Sequence, residues 1–290
     1  MSNIKEAFIS RFDEKGLLVE IDLVQLEVMA LAELTGDPVL IAELNAGVDI
    51  HRLNASMWLK KLGSAVSDDE RKKAKVMTFQ LTYGAGAKRM AEDLGITPEE
   101  AQEFIDSFLN KYKKISEFFR AVSRACKDSV FSVEPQNKNR TMNILPVPTA
   151  RQYTAVYKRS DYGNRDWVLS PTEFKNYPVQ GFATGDMVPL IINMILDRLD
   201  TTYARKYNIW GGSKILFINT IHDSAMFDCH EEHLGLLLEA VEYAFNDLKR
   251  TFKELFDYDL KLNYTYSAKF GNNWKDVVEL SRKDVQEIIQ

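Results

Sequence analysis

The strongest constraint on the fold is where the strand-forming segments lie along the chain. A buried strand is predicted at Gly16–Asp22, near the N-terminus. The next strand pattern is Lys214–Asp228, which predicts two strands joined by a tight turn at His222-Asp223. A last alternating segment covers Leu260–Phe270. Because helical patterns fill the long interval between the first strand and the second, we predict an α+β fold with a helical insertion.

Helix signals in this interval are specific. Ser67–Glu70 and Thr97–Glu100 are capping boxes, in which the first side chain caps a helix and the glutamate bonds back to it. Residues 134–170 contain proline, asparagine and glycine, which predicts loops and a hairpin. The predicted helices are Gln25–Leu34, Glu99–Lys114, a helix after Pro178 that continues to Asp200, and Glu231–Phe256.

The composition is that of a globular protein able to bury a sizeable core, with 45% apolar residues among 290. That length suits one large domain or two interleaved domains. The longest apolar run, near Met187–Leu196, is too short to span a membrane, and the N-terminus lacks the apolar core of a signal peptide. The only cysteines, Cys126 and Cys229, argue against a disulfide scaffold and favour the cytoplasm.

Net charge is −5, which excludes a simple basic nucleic-acid coating protein. Positive charge is nevertheless concentrated in two clusters, and such clusters usually form solvated helix faces. Their members are Arg71, Lys72, Lys73 and Lys75 in the first, and Lys111, Lys113, Lys114, Arg120, Arg124 and Lys127 in the second.

Arg71, Lys75, Phe79 and Tyr83 recur every four residues and therefore form one stripe along a helix. A solvated face explains the cations but not the aromatic residues, and a core face explains the reverse. A nucleoside triphosphate explains both, because cations neutralise its phosphates and aromatic rings stack on its base. A partly exposed structural helix remains the alternative.

Asp22 ends the first strand, Asp223 lies in the hairpin turn, and Glu27 follows Asp22 by just over one helical turn. An isolated aspartate at a strand end is usually a cap or turn former. Two aspartates on adjacent strands would instead repel each other unless cations lay between them, as Mg²⁺ does in phosphoryl transfer. The spacing alone does not establish that these strands are neighbours.

Six segments, in the same order, resemble the motifs of the bacterial DNA polymerase I family (family A). They cover nearly the whole chain, so the resemblance is highly specific although each segment alone is weak. The segments are Asp22-Leu-Val-Gln-Leu-Glu27 with Ala32–Asp37 (motif A), Asp49-Ile-His51-Arg52, Arg71–Gly84 (motif B), Asn176-Tyr-Pro-Val-Gln180-Gly181, Ile221-His-Asp-Ser224 (motif C) and Phe270-Gly-Asn-Asn-Trp274.

The resemblance implies a fold and an activity. The fold would be an antiparallel-sheet palm, residues 1–37 and 171–290, with a mostly helical fingers insertion, residues 38–170, and no thumb or exonuclease domain. The activity would be template-directed DNA synthesis, in which the primer 3′-oxygen attacks the α-phosphate of a dNTP.

The resemblance also implies a role for each matching residue. Asp22 and Asp223 would ligate two Mg²⁺ ions, for which Mn²⁺ can substitute. Arg71 and Lys75 would hold the triphosphate, with His51 assisting. Phe79 would stack near the sugar and base, Tyr83 would guard the insertion site, and Glu27 would exclude a 2′-hydroxyl. The residues that would contact the primer–template are Gln25, Asn176, Gln180 and His222.

Several positions depart from the family pattern. Ser224 stands where motif C usually has glutamate, and single-subunit RNA polymerases also have serine there. Met29 stands where arginine is usual, and Thr78 stands where asparagine is usual. Thr172 replaces another usual arginine, for which Lys175 is the substitute nearby in the sequence. An RNA polymerase fragment is therefore one alternative, although the Glu27 gate opposes it, and a non-catalytic DNA-holding subunit is another.

A partner is also expected. The family has a thumb and further palm strands before motif A, so we expect a second polypeptide to carry them, with an exonuclease domain. It would dock beside strand Leu18–Asp22 through a largely apolar interface. The alternative is that the sequence is a piece of a longer polypeptide, and a split enzyme of this type suggests a bacteriophage source and the host cytoplasm.

Cys229-His230-Glu-Glu-His233 contains metal-ligand residue types. Its spacing fits no common zinc pattern, and we interpret it as a helix N-terminus with acidic residues in its first turn.

Overall fold

A computed structural model describes residues 3–161, 163–202 and 214–290. The helices are α1 (Leu26–Thr35), α2 (Pro38–Asn45), α3 (Ile50–Trp58), α4 (Asp68–Thr82), α5 (Ala87–Leu94), α6 (Pro98–Lys111), α7 (Lys113–Lys127), α8 (Pro171–Gln180), α9 (Val188–Thr202), α10 (Leu234–Phe256) and α11 (Arg282–Ile289). The strands are β1 (Gly16–Leu23), β2 (Asn139–Thr141), β3 (Thr154–Val156), β4 (Lys158–Arg159), β5 (Trp167–Val168), β6 (Ile215–Ile221), β7 (Ser224–His230), β8 (Tyr266–Gly271) and β9 (Val278–Leu280).

Two compact units share this chain. The first comprises Met1–Leu26, Ala183–Leu260 and Tyr264–Gln290, and the second comprises Glu27–Phe182 and Lys261–Asn263. The first unit holds a five-stranded antiparallel sheet in the order β6-β7-β1-β8-β9. The predicted α+β class is therefore confirmed, whereas the division into palm and fingers at residues 37 and 171 stays a prediction.

The sheet of the first unit has two different faces because side chains alternate along a strand. Val19 and Ile21 on β1, with Phe227 on β7, are almost fully buried, and α9 and α10 contact β7. The opposite face carries Leu18, Glu20 and Asp22 of β1. The first face is the core of this unit, and the second contains the carboxylates.

The N-terminal segment lies on this second face. Ser10 Oγ donates to Asp228 Oδ1 at 2.6 Å, and the Trp274 backbone N–H donates to the Phe8 carbonyl oxygen at 3.1 Å. A Cβ at Gly16 would lie 1.8 Å from Ser10 Oγ, so only glycine fits there.

The strand β1 occupies the centre of the sheet, with β7 on one side and β8 on the other. A second polypeptide therefore has no free edge of Leu18–Asp22 to dock beside, and that detail of the prediction is wrong. The outer strands of the described sheet are β6 and β9.

The second unit is mostly helical, with two short hairpins formed by β2-β3 and β4-β5. Its core contains Phe104, Phe108 and Ile115. The helix predicted at Glu99–Lys114 ends earlier, at Lys111, and α7 follows directly. Between them Tyr112 is fully buried, and its hydroxyl donates to Glu43 at 2.8 Å, so a tertiary contact breaks the helix.

The helix predicted after Pro178 instead begins at Pro171 and contains that proline. Proline has no backbone N–H to donate. The helix widens into a π segment, Gly181–Met187, directly after α8. The stretch Pro171–Thr201 is long and apolar enough to cross a membrane by length and composition, with 50% of its most apolar window buried. A core helix meets the same criterion, and the predicted absence of a membrane role stays a prediction.

Candidate active site

Asp22 and Asp223 lie at the same end of neighbouring strands in the first unit. Asp22 pairs with Ser224 across the β1–β7 ladder, and Asp223 is the residue before Ser224. The Leu23 backbone N–H donates to the Asp223 carbonyl oxygen at 3.0 Å. Both aspartates are partly exposed at this end of the sheet. The two strand ends that carry Asp22 and Asp223 are therefore neighbours, which the sequence spacing alone did not establish.

The turn before β7 has only two residues, His222 and Asp223, between the paired residues Ile221 and Ser224. His222 has a φ of +55°, a left-handed conformation in which histidine is enriched relative to bulkier residues. The Ser224 hydroxyl donates to the Ile221 carbonyl oxygen at 3.0 Å. Ser224 thus closes the hairpin that carries Asp223.

In the second unit, α4 presents the predicted stripe. Its opposite face, which includes Ala74, Met77 and Leu81, is buried, and this burial fixes which side of the helix the stripe occupies. Lys75 is exposed, and its Nζ lies 5.4 Å from the centre of the Phe79 ring. Phe79 stacks with Tyr83, with ring centres 6.4 Å apart and planes 17° apart. The helix and the relative order of the four side chains are as predicted.

Arg71 has a partner that the sequence did not reveal. Its Nε donates to the carboxylate of Asp49, the residue that caps α3. Burial alone would raise the pKa of Asp49, but the hydrogen bonds from Arg71 and from the Arg52 backbone lower it overall. The acidic N-cap just before His51 was the available sequence signal.

His51 is 1% exposed and its ring centre lies 5.6 Å from that of Phe79. Burial, and then the positive charge of Lys75, lower the pKa of His51 to about 4. The imidazole is therefore neutral at pH 7, and in this arrangement it supports the Phe79 ring from within the unit.

Glu27, Tyr83, Gln180 and Asn176 form one hydrogen-bonded chain in the second unit. The Tyr83 hydroxyl donates to Glu27, with distances of 2.6 and 2.7 Å to its two oxygens. Gln180 Nε2 donates to the Tyr83 hydroxyl at 3.3 Å, and Asn176 Nδ2 donates to Gln180 Oε1 at 3.0 Å. The sequence singled out all four residues but not their connection.

Gln25 belongs to the first unit and has a φ of +53°. It precedes α1, which begins at Leu26. Thr78, which stands where asparagine is usual, is fully buried, and it accepts a hydrogen bond from Asn54 at 3.1 Å. Thr78 therefore has a packing role in this chain.

His230, Glu232 and His233 each place one potential ligand atom within 4.8 Å of the others. His230 already accepts the backbone N–H of Glu232 at 3.3 Å, as a cap on the turn that precedes α10. This local arrangement agrees with the interpretation of the segment as a helix start.

The chain matches the model of DNA polymerase family A over residues 1–276. It is 25% identical to the DNA polymerase of Bacillus phage SP01 over 98% of its own length, and 26% identical to the thermostable DNA polymerase I of Thermus aquaticus over 95%. It covers 29% of each of these relatives.

Among solved structures, it resembles the POL domain of Pol1 from M. smegmatis in complex with DNA primer-template and dNTP. The TM-score is 0.68 at 22% identity, and the match covers 93% of this chain and 42% of that one. This likeness supports the fold.

Proposed function

This chain belongs to DNA polymerase family A, and on that premise we propose that it adds deoxynucleotides to a primer 3′ end as a template directs. The observation that carries the proposal is the placement of Asp22 and Asp223 at one end of adjacent strands. Template pairing would choose the base, and pyrophosphate would be released. The relatives bear the name DNA polymerase, and the solved relative holds a primer–template and a dNTP.

The residues at this position suit a hard divalent cation, because carboxylate oxygens are the ligands that Mg²⁺ takes from proteins. We assign Asp22 and Asp223 as the holders of two Mg²⁺ ions, with Mn²⁺ as a substitute. When bound, such a pair supplies activation of the attacking and leaving oxygens. The partial exposure of both aspartates supports this assignment.

We assign nucleotide binding to the stripe on α4. Arg71 and Lys75 would neutralise the triphosphate, and Phe79 would stack near the sugar and base. Arg71 would have to share its guanidinium between Asp49 and the ligand, which makes Asp49 its positioning partner. His51 would assist by holding Phe79 in place.

The hydrogen-bonded chain from Glu27 to Asn176 suggests how sugar selection and DNA contact are linked. Glu27 would fill the space of a 2′-hydroxyl, and Tyr83 would guard the insertion site with its hydroxyl held by Glu27. Asn176 and Gln180, with Gln25 and His222, would contact the primer–template. A movement of Gln180 on DNA binding would therefore change its hydrogen bond to the Tyr83 hydroxyl, and with it the position of Tyr83.

The chain covers only part of its relatives, so further regions would be needed for tight DNA binding. We propose that a second polypeptide supplies a thumb, further palm strands and an exonuclease domain. An apolar groove of about 280 Å³ in the first unit supports such a partner, lined by Phe8, Leu18, Ile218, Met226 and Trp274 among others. Both cysteines are buried free thiols, which accords with the cytoplasm as the proposed location.

Primer extension tests the proposal. The purified chain, alone and with proteins that co-purify with it, is given a primed template, Mg²⁺ and either dNTPs or NTPs. We expect extension with dNTPs that stops when the cation is chelated. Extension with NTPs instead would favour the RNA polymerase alternative. Primer–template binding without extension under any of these conditions would favour a DNA-holding subunit and overturn the proposal.

A further inference from the structure

Residues 277–290, which we call the C-terminal segment, follow the part of the chain that matches the family model, residues 1–276. The segment belongs to the first compact unit, which also carries Asp22 and Asp223. Within it, β9 extends the five-stranded sheet, and α11 contacts α10 and β9. The C-terminal segment therefore adds contacts to the candidate active-site unit that the family match does not account for.

The C-terminal segment is packed against both the sheet and α10. Its strand β9 pairs antiparallel with β8, with Leu280 opposite Ala268. Near the end of α11, the carbonyl oxygen of Ile288 comes so close to α10 that a Cβ at Gly235 would lie 2.8 Å from it. Any larger residue at Gly235 would have to displace that backbone. Contacts at both ends thus hold the segment on the unit.

Between these two contacts, Arg282 connects three elements. Its Nη1 donates to Glu242 Oε1 of α10 at 2.6 Å. Its guanidinium carbon lies 4.7 Å from the centre of the Tyr266 ring of β8. The Tyr266 hydroxyl donates to the same Glu242 oxygen at 2.7 Å. Arg282, Glu242 and Tyr266 therefore form a closed triangle of side chains from α11, α10 and β8.

The triangle is partly shielded from solvent. The Glu242 side chain is 17% exposed, and Tyr266 is 5% exposed. Burial, and then the hydrogen bond to Glu242, raise the pKa of Tyr266, so its hydroxyl remains a donor. Phe245 also packs on the Tyr266 ring, with ring centres 4.8 Å apart. Because hydrogen bonds to a charged group are strong in such surroundings, Tyr266 has a well-defined position.

Tyr266 lies beside the backbone of Asp22. It pairs with Leu23 across the β1–β8 ladder, and the next pair is Ser267 with Asp22. Tyr266 and Leu23 are buried, whereas Asp22 and Ser267 are partly exposed, as the alternation of side chains along paired strands requires. The triangle therefore holds the end of β8 from the face opposite to the Asp22 carboxylate.

We propose that Arg282, Glu242 and Tyr266 are positioning residues for Asp22. They fix the end of β8, and the β1–β8 ladder then fixes the backbone that carries the Asp22 carboxylate. The proposal rests on the proposed function, in which Asp22 holds a metal ion. Groups that orient a metal ligand matter for binding, since their loss typically lowers metal affinity or activity by about 10–100-fold.

A purely structural role is the alternative, in which β9 and α11 only cover the edge of β8. Loss of such a cover would lower the free energy of unfolding without changing metal binding at Asp22. The two roles are separated by variants that loosen the triangle but leave the rest of the C-terminal segment intact.

Two variants break the triangle at different members. Tyr266→Phe removes the hydroxyl and keeps the ring against Phe245, and Arg282→Gln removes the guanidinium charge. Arg282→Lys is the conservative variant, because an ammonium group also binds a carboxylate and an aromatic face. Lys283→Gln is the matched control, since Lys283 is the next residue on α11 and its side chain is 83% exposed.

Two measurements on the full chain do not require catalysis. Hydrogen–deuterium exchange without DNA or metal reports on the backbone of β1 and β8. We expect Tyr266→Phe and Arg282→Gln to exchange faster in peptides that cover residues 18–24 and 264–270, with peptides of α6 unchanged. Titration with Mn²⁺, followed by electron paramagnetic resonance, should show binding weakened by about 10-fold in both variants.

Single-turnover primer extension adds the functional comparison. Its rate should fall by about 10-fold in both variants, and the Mg²⁺ concentration that gives half the maximal rate should rise, whereas the KM for dNTP should stay near the wild-type value. Arg282→Lys should recover most of the rate, and Lys283→Gln should match the wild type. Thermal melts establish folding, and if Arg282→Gln does not fold, Tyr266→Phe decides the outcome.

A lower melting temperature with unchanged exchange in β1 would overturn the proposal and leave a structural role. Faster exchange in β1 with unchanged Mn²⁺ binding would also overturn it, because metal binding at Asp22 would then not depend on the triangle. Equal losses in Lys283→Gln and Arg282→Gln would do the same. A wild-type chain that neither binds Mn²⁺ nor extends primers would contradict the proposed function, and the exchange measurement alone would then decide whether the triangle holds β1.

Discussion

At the scale of single residues, Asp22 and Asp223 combine partial exposure with a fixed backbone. Asp22 lies in a strand that is paired on both sides, and Asp223 is held by the hydrogen bond from the Leu23 N–H to its carbonyl oxygen. Neither belongs to the buried apolar core. Changing either carboxylate should therefore affect chemistry more than stability.

Asp22→Asn and Asp223→Asn should each reduce single-turnover extension by more than about 100-fold, because metal ions contribute several kcal/mol of transition-state stabilisation. Folding and primer–template binding should be retained. Rapid-quench extension and a thermal melt measure the two properties, and Asp161→Asn, at an exposed position, is the control. Near-wild-type extension by either variant would remove the two-metal assignment.

Glu27→Ala should raise ribonucleotide incorporation relative to deoxyribonucleotide incorporation by about 10-fold or more, since a small steric exclusion is worth roughly 1–3 kcal/mol. Tyr83→Phe removes the hydrogen bond to Glu27 but leaves the carboxylate in place, so it should change the ratio much less. Competing kcat/KM values for dNTP and NTP give the ratio. Equal ratios in Glu27→Ala and the wild type would show that the gate is elsewhere.

His51 makes stability depend on pH. Its pKa falls from an ordinary 6.5 to about 4 on folding, so the unfolded chain binds more protons between these values. The stability that depends on a neutral His51 is fully present above pH 6.5 and is lost as pH falls toward 4. Over this range the free energy of unfolding falls by at most about 3 kcal/mol.

His51→Gln should therefore show a shallower loss of Tm between pH 6.5 and 4 than the wild type. Thermal melts across this range compare the two proteins, and every other titrating group is common to both. Parallel pH profiles would mean that the His51 pKa is not lowered on folding.

At the scale of elements, short segments are positioned by a few specific contacts. The N-terminal segment is joined to the sheet through Ser10 and Asp228, and Gly16 makes the close approach possible. Glu33, which is 1% exposed, accepts the backbone N–H groups of Lys261 and Leu262 at 3.0 and 3.2 Å within the second unit. Such contacts hold irregular backbone where regular hydrogen bonding ends.

Gly16→Ala should destabilise the protein by about 1–3 kcal/mol, because the new methyl group would displace Ser10 and its bond to Asp228. Gly63→Ala is the matched control, since a Cβ at Gly63 meets nothing within 4 Å. Urea denaturation measures both. If the two variants prove equally stable, the segment is not held against β1 as described.

At the scale of the whole molecule, the chain accounts for 29% of the phage and thermostable relatives that it matches along nearly its full length. The first unit also exposes apolar side chains around one groove, with Phe8 52% and Ile218 47% exposed. Exposed apolar surface of this kind marks an interaction site in many proteins.

Ile218→Asp should weaken capture of the proposed second polypeptide, because it places a charge in the groove. Val278→Asp is the control, since Val278 is 64% exposed on β9 and does not line the groove. Co-purification from the native source followed by size-exclusion chromatography gives the comparison. Equal recovery of the partner with both variants would place the interface elsewhere.

Features set by neighbouring residues could be predicted from the sequence. The capping boxes at Ser67–Glu70 and Thr97–Glu100 are present as predicted, since their hydrogen bonds form within one helical turn. The first strand and the turn at His222-Asp223 follow from periodicity and a short polar loop. The family followed from motif order, which needs no knowledge of contacts.

Features that join distant residues depended on tertiary packing. The register that sets Asp22 opposite Ser224, and the bond between Tyr83 and Glu27, 56 residues apart, follow from how strands and helices pack. The same reason explains the break at Tyr112, and the pairing of Lys111, from the second basic cluster, with Glu43. Local sequence determines which segments form helices or strands, but only their packing decides which charges meet a partner.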